Sequence, residues 1–414
     1  MSSTQEAHMD QLTLYNKILQ LKAPWEVTDV LLEDSTGQIT VTVSCKASSL
    51  PCPKCGANSK RYDSRQRQWC HLDTCQFQTI IEAEVPRITC KEHGCLTIAV
   101  PWAEDSSRYT LLFENQLLKW ASETSILALT RRLKLSWNAI DGIIKRGVDR
   151  GLKRRSKFSC KHLFVDETCV GKPRVFITVL SNQLGQVLAI KDGRSSESLL
   201  QCFSSIPVHD INKMKSISMD LSAAYKKAVL IRFGQRAKKL IAYDHFHITK
   251  MLSEALLHVQ KIEVRSMPGL DKLEHYKSRF LWFKNERNRT EEIENTLNEQ
   301  KQYLINTAVV WYFKEQFRFI WKNVGYLKAK AAWKTWIRLA KETGIKALIS
   351  VVGTIEKCLE GIINAMHHKV SNGRAEALNN NIKVLGRQSR GYRNIERYKS
   401  SIFFHFGGLD MEFN

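Results

Sequence analysis

A chain of 414 residues, 43% of them hydrophobic, is long enough for roughly two to four domains with packed cores. No apolar run reaches the roughly 18–20 residues that cross a bilayer. The polar start MSSTQEAHMDQ reads as neither a signal nor a transit peptide, so a soluble cytoplasmic protein with no membrane partner is expected. Against 41 Asp and Glu stand 63 Lys and Arg, a net charge of +22 that fits a polyanion held through its phosphates. Charge alone does not separate that partner from an acidic membrane surface or from none. Eleven cysteines in a cytoplasmic chain exclude a disulfide scaffold, and seven of them crowd between residues 45 and 95.

In chain order, residues 10–21 have helical spacing, with Leu12, Leu14, Ile18 and Leu21 on the apolar face. Val27–Leu32 and Ile39–Val43 alternate around the turn Ser35-Thr36-Gly37 and predict a hairpin. Cys52-Pro-Lys-Cys55-Gly56 then has the form of a zinc knuckle, because a two-residue gap lets both thiolates reach one metal. Its natural partners are Cys90 and Cys95 across the strand Thr79–Val85, which together close a structural Zn2+ site; Cys70, His71 and Cys75 compete as ligands. Three short helices follow, Leu112–Ser122, Ser125–Leu133 and Ser136–Arg150, the last two spaced as a helix-turn-helix with serines at the cap positions. The third is expected to turn Trp137, Asn138, Lys145, Arg146 and Arg150 outward toward a DNA groove and to bury Ile140, Ile143, Ile144 and Val148.

From Lys161 the pattern changes to short β-runs. Leu163–Val165 ends in Asp166, and Val175–Leu180 and Val187–Ile190 complete three antiparallel strands, the opening of an RNase H-like sheet. After the helix Ser196–Ser205, Ile217–Met219 ends in Asp220; after the helix Ala223–Phe233, Leu240–Ala242 leads to Asp244-His245-Phe246-His247. Functional groups gather where the strands of an α/β sheet end, so Asp166 and Asp220 are expected to face each other. Glu167 follows Asp166 directly and should point to the opposite face. From Ile248 to about His368 the pattern is helical, with Trp282, Trp311, Trp321, Trp333 and Trp336 read as core rather than base-stacking platforms. Ser371-Asn372-Gly373 then opens a helix that carries Glu376 in its first turn, and Lys383, Arg387, Arg390 and Arg393 form a basic ridge beyond it; Gly386 and Gly391 weaken that helix after residue 385. Three acids around a sheet edge suit two Mg2+ or Mn2+ ions, which are hard cations that take oxygen ligands and can assist phosphodiester chemistry at both the attacking and the leaving oxygen.

The order of these features is similar to the ISL3 family of insertion-sequence transposases. The resemblance rests on the zinc knuckle, the helix-turn-helix, Phe-Val-Asp166-Glu-Thr, Ser-Met-Asp220-Leu-Ser-x-x-Tyr, Asp244-x-Phe-His247 and Ser-Asn-Gly-x-x-Glu376-x-x-Asn-Asn-x-Ile-Lys, and runs from about residue 50 to 400. It implies an RNase H-like catalytic core of DDE type with a helical insertion and a catalytic triad of Asp166, Asp220 and Glu376. It also implies that the zinc and helix-turn-helix units bind the terminal inverted repeats of the element as double-stranded DNA. Asp244 and His247 have a spacing seen in related transposases, so His247 either contacts the scissile phosphate or caps the strand end. The expected division is 1–48 helix and hairpin, 49–104 zinc domain, 105–155 helix-turn-helix, 156–248 and 369–414 catalytic domain, and 249–368 insertion. Cleavage and joining of two element ends would need a homodimer or larger assembly on DNA, in a cytoplasmic, nucleoid-associated protein. The rival readings are a catalytically silent DNA-binding regulator and a nuclease without strand transfer.

Overall fold

The computed structural model describes residues 10–413 apart from 157, 172–173, 268–278, 285–287, 390, 391 and 393. It falls into two compact units, one comprising the chain up to Arg154 together with the tail Leu409–Asn414, the other Arg155–Gly408.

The first unit opens with α1 (Gln11–Ile18), whose N-cap Asp10 accepts a hydrogen bond from the Thr13 N–H at 2.7 Å. The expected hairpin is present as β1 (Trp25–Glu33) and β2 (Gln38–Cys45) around Gly37, whose φ of 65° suits glycine. Strands β3 (Ser49–Pro51), β4 (Asn58–Cys70), β5 (Gln78–Cys90) and β6 (Gly94–Thr97) extend it into one six-stranded sheet of order β1-β2-β5-β4-β3, with β6 on β5. Alternation along β2 and β5 buries Val41, Val43, Ile81, Ala83 and Val85 on one face. Trp102 closes that core, meeting Trp25 and Trp69 edge-on at ring-centroid distances of 5.0 and 5.3 Å.

Three helices follow: α2 (Leu111–Glu123), α3 (Ile126–Leu133) and α4 (Trp137–Arg154). Thr110 and Ser125 cap the first two, and Ser136 Oγ accepts from the Ala139 N–H at 3.2 Å to start the third. The turn before α4 uses Lys134 in the left-handed region, φ 54°. The described tail, residues 409–413, expected to belong to the catalytic domain, packs on these helices instead. The Asn115 side chain exchanges two hydrogen bonds with the Phe413 backbone at 2.9 and 3.0 Å, and Arg150 donates to the Met411 carbonyl at 2.8 Å. A side chain at Gly151 would collide with Leu409, which explains glycine there.

The second unit is built on a five-stranded mixed sheet of order β9-β8-β7-β10-β11, with β7 (His162–Gly171), β8 (Val175–Asn182), β9 (Val187–Asp192), β10 (Ser216–Met219) and β11 (Ile241–Tyr243). β7, β8 and β9 run antiparallel in succession, whereas β10 and β11 lie parallel to β7, which is the RNase H-like arrangement that the sequence pattern implies. One correction bears on the site. β7 does not end at Asp166 but continues to Gly171, because β8 keeps pairing with it, Asp166 opposite Val179, after β10 has stopped.

Helices α5 (Ser196–Ser204) and α6 (Ala223–Phe233) cover one face of the sheet, on a core that includes Leu163, Val165, Ile217 and Tyr243. Among the described residues, the longer helices α7 (His245–Arg265), α8 (Glu291–Tyr303), α9 (Ile305–Asn323), α10 (Tyr326–Glu342) and α11 (Lys346–His368) form the helical insertion around a separate core. Trp282, Trp333 and Trp336 are buried in it, and Trp311 and Trp321 pack against it, in line with the reading of these rings as core. The end of α11 returns to the sheet, where Gly361 lets the helix rest on the Tyr243 ring and Asn364 donates to the Ile241 carbonyl at 2.9 Å. Two further helices complete the unit, α12 (Gly373–Gln388) and α13 (Ile395–Phe406). α12 runs on through Gly386, past the weakening expected after residue 385. The glycine is needed there because the Tyr398 ring lies against it and donates its hydroxyl to the Ile382 carbonyl at 2.6 Å.

Candidate functional site

In the zinc unit, Cys52, Cys55, Cys90 and His93 converge, with ligand atoms all within 4.8 Å of one another. Cys55 Sγ lies 3.7 Å from Cys90 Sγ, and His93 Nδ1 lies 3.7 Å from Cys90 Sγ and 3.9 Å from Cys52 Sγ. A tetrahedron with Zn–S arms of about 2.3 Å has edges of roughly 3.7 Å, so this donor set fits a structural Zn2+. Contact with His93 lowers the Cys90 thiol pKa, and the Cys55 N–H does the same for Cys52, both favouring the thiolate that binds metal. Cys95 does not join them. Residues 91–93 form the turn between β5 and β6, which folds His93 back on Cys90, and Cys95 is carried one step along β6, opposite Thr89 and exposed. The spacing Cys90-x-x-His93 repeats that of Cys52-x-x-Cys55 and was the available signal. Cys70 and Cys75 also stay outside the cluster. His71 is buried against Thr110 at 2.8 Å, its pKa pushed down to about 4 by burial, as befits a neutral core histidine.

On α4, Trp137, Asn138 and Lys145 are exposed, as a groove-facing helix requires. Arg150 and Arg146 are not. Arg150 sits i+3 from Gly147 and i+7 from Ile143 on the buried stripe, where its guanidinium reaches Glu104 at 2.7 Å and stacks on Phe413 at 3.5 Å. Arg146, on the flank of that stripe, pairs with the fully buried Glu114, which also accepts from Ser107 at 2.7 Å. Removing one partner of a buried ion pair strands the other charge. Arg146→Ala should therefore lower the thermal midpoint, at a cost of about 3 kcal/mol. Lys145→Ala should leave the midpoint unchanged and reduce the salt dependence of DNA binding by about one phosphate contact. Calorimetry and a salt titration check the two. Of the basic ridge, Lys383 and Arg387 are exposed on α12 and line a 420 Å³ pocket with Cys169, Val170, Gly386, Tyr392 and Tyr398. Arg390 and Arg393 lie outside the described residues.

The acids are set by strand register. Phe164 pairs with Ser218 and Ser218 with Ala242, so two residues further on Asp166, Asp220 and Asp244 stand in one row where the parallel strands stop. They share the face of Phe164 and Ala242, which Ala365, Val370 and Ala375 cover. Glu167 takes the opposite face, beside Tyr225. His247, one turn into α7, lies with Nδ1 3.1 Å from Asp220 Oδ1 and 3.7 Å from Asp244 Oδ2. Asp220, Asp244 and His247 have ligand atoms close enough together to share one cation.

The helix bearing Glu376 is docked onto this row by two asparagines. Asn372 donates Nδ2 to Asp220 Oδ1 at 3.1 Å and its backbone N–H to Asp244 Oδ1 at 3.1 Å. Asn379 donates Nδ2 to Asp166 Oδ2 at 2.6 Å. Positions 372, 376 and 379 share one helical face, so the exposed Glu376 stands between two residues that grip the aspartates. The positive end of the α12 dipole also points at the acids. Burial first and the Asp220 charge second push the Asp166 pKa up to about 7, and burial raises Asp220. Burial acts on Asp244 too, but hydrogen bonds from His245, His247 and the Asn372 N–H outweigh it and hold its pKa below the ordinary carboxylate range. Contact with Asp244, and then the Asp220 charge, raises His247. Carboxylates kept this close and this poorly neutralised are the donor set of a hard divalent cation. Neither asparagine was singled out from the sequence, although both stand in the motif that flagged Glu376.

A zinc ribbon, a helix-turn-helix and a mixed sheet with a row of acids together define a transposase with a DDE-type domain. A family model described as "Transposase" matches residues 163–402, more than half the chain. A "zinc-finger of transposase IS204/IS1001/IS1096/IS1165" matches residues 49–95, and a "helix-turn-helix domain of transposase family ISL3" matches 98–148. The chain belongs to the ISL3 family of transposases. It is similar to the transposase for insertion sequence element IS1001 of Bordetella parapertussis, 22% identical over 91% of this chain and 93% of that one. It also resembles the transposase for IS1557 of Mycobacterium tuberculosis, 23% identical over 83% and 82% of the two chains. No helix among the described residues is long and apolar enough to cross a membrane.

Proposed function

We propose that this transposase binds the terminal inverted repeats of an insertion sequence and catalyses metal-dependent cleavage and transfer of their strands. The observation that carries the reading is the in-register pair Asp166 and Asp220 beneath the helix of Glu376. Two Mg2+ or Mn2+ ions, when bound, supply activation of the attacking hydroxyl and neutralisation of the leaving oxygen. Asp166 and Asp220 would hold or share these ions, and Glu376 would bind the second. Asp244 and His247 act beside them; contact with Asp244, and then the Asp220 charge, raises the His247 pKa and so favours the protonated ring that would meet the charge of a scissile phosphate. The ribbon, with one structural Zn2+ on Cys52, Cys55, Cys90 and His93, and the exposed face of α4 with Trp137, Asn138 and Lys145, bind the element end. Lys383 and Arg387 track the backbone of end or target DNA. Two copies or more assemble on two ends.

The joining step has its own test. A pre-cut end with a free 3′-hydroxyl, mixed with a plasmid target and Mn2+, should yield covalently joined product with the wild-type protein and none with Glu376→Gln. Cleavage of intact ends without any joining would reduce the protein to a nuclease. Tight end binding with neither step would make it a regulator.

A further inference from the structure

We propose that Asn372 and Asn379 are positioning residues that orient the carboxylates of Asp220 and Asp166 toward a divalent cation, a role that rests on the metal-dependent reading above and deepens it. Asn372 occupies the N-cap position of α12, where an asparagine ordinarily spends its side-chain oxygen on the helix's own N–H groups. Here it does not. Its backbone is helical (φ −74°, ψ 0°), it makes no side-chain cap bond, and its amide turns to Asp220 instead. Asn379, two turns on, spends its amide on Asp166 Oδ2 and, at 3.3 Å, on the Glu167 carbonyl.

An ionised carboxylate only accepts hydrogen bonds, so each amide presents its nitrogen to an aspartate and its oxygen away from it. Both asparagines are only 4% exposed, and both side-chain oxygens are buried without a hydrogen-bond partner. Buried polar atoms are nearly always paired, and an apolar side chain would dock the helix without leaving an oxygen orphaned. Asp166 Oδ1 also accepts from the Glu167 N–H at 2.8 Å, and His247 Nδ1 lies 3.1 Å from the Asp220 oxygen that Asn372 holds. Both carboxylates are thus fixed in orientation while lone pairs remain for a cation, and the amide oxygens are available to its hydration shell. Partners of this kind fix ligand orientation in metal sites generally.

The test is a Mn2+ titration of the full-length, DNA-free protein, with free Mn2+ read by electron paramagnetic resonance. Asn372→Ala and Asn379→Ala should each weaken Mn2+ binding by roughly ten- to hundredfold. Their affinity for an end duplex should match wild type, and any fall in the metal-free thermal midpoint should be small beside the loss of Mn2+ affinity, which a purely structural role would not allow. Asn372→Ala removes no cap bond, so it decides the matter if Asn379→Ala fails to fold. A wild-type Mn2+ site that Asp166→Asn abolishes but folded Asn372→Ala leaves intact would overturn the positioning role alone. Absence of any Mn2+ site in the wild type would overturn the metal reading and this proposal together.

Discussion

Stripping zinc from the ribbon should unfold it. Structural Zn2+ contributes about 10–16 kcal/mol of apparent binding free energy at neutral pH, as much as or more than the roughly 5–15 kcal/mol by which a typical domain is stable. The short strands at the cluster's end of the sheet have little to replace it, because β3 is three residues long and β6 four, so the opening starts there. The ligand set makes the expectation specific. His93→Ala and Cys90→Ser should each lose the one bound zinc, open the ribbon to protease and abolish end binding. Cys95→Ser should keep zinc, fold and binding, since Cys95 lies outside the cluster. Metal analysis with limited proteolysis reads all three. Zinc lost from Cys95→Ser but retained by His93→Ala would reverse the assignment.

The second large effect concerns the acids and has opposite signs for activity and stability. Asp166→Asn, Asp220→Ala and Glu376→Gln should each slow end cleavage by about 10³-fold or more, a barrier rise of roughly 4 kcal/mol. End binding should be unaffected. Yet Asp166→Asn should stabilise the metal-free protein. Burial and the Asp220 charge place the folded-state pKa of Asp166 near 7, above the unfolded value of about 4. Its ionisation therefore opposes folding: the penalty is absent below about pH 4, grows as pH rises, and is complete above about pH 7. At pH 8 the asparagine variant should gain on the order of 2 kcal/mol, after discounting for solvent at the site, and at pH 4 nothing. Thermal melts at the two pH values in chelator check this. An equal gain at both would mean that the charge of Asp166 is not its cause.

The acids were legible because strands and helices expose their ends in sequence, as apolar runs that stop at Asp220 and a glycine-marked helix start before Glu376. Asp166 was found by the same rule for a partly different reason, since it lies mid-strand and marks the end of its neighbour β10 rather than of β7. Strand register, which brings three aspartates into one row, is a long-range property that no local pattern encodes. His93 was not singled out because Cys90 and Cys95 offered a second thiolate pair, although the spacing of His93 from Cys90 repeats the knuckle. Arg150 was misplaced because charge was weighed above position: its distance from Ile143 already put it on the buried stripe, and a buried Arg needs a partner such as Glu104 that only tertiary structure supplies. Asn372 and Asn379 look like ordinary polar helix residues until the acids they hold are in place.

The most direct measurement is single-turnover cleavage of a labelled duplex carrying the element's own end, in Mg2+ or Mn2+, with wild-type protein beside Asp220→Ala. A nick at the element end that requires the ion and disappears in the variant is the expected result. Specific end binding with no cleavage in either metal, or cleavage that survives Asp220→Ala, would contradict the assignment of these carboxylates as the catalytic centre.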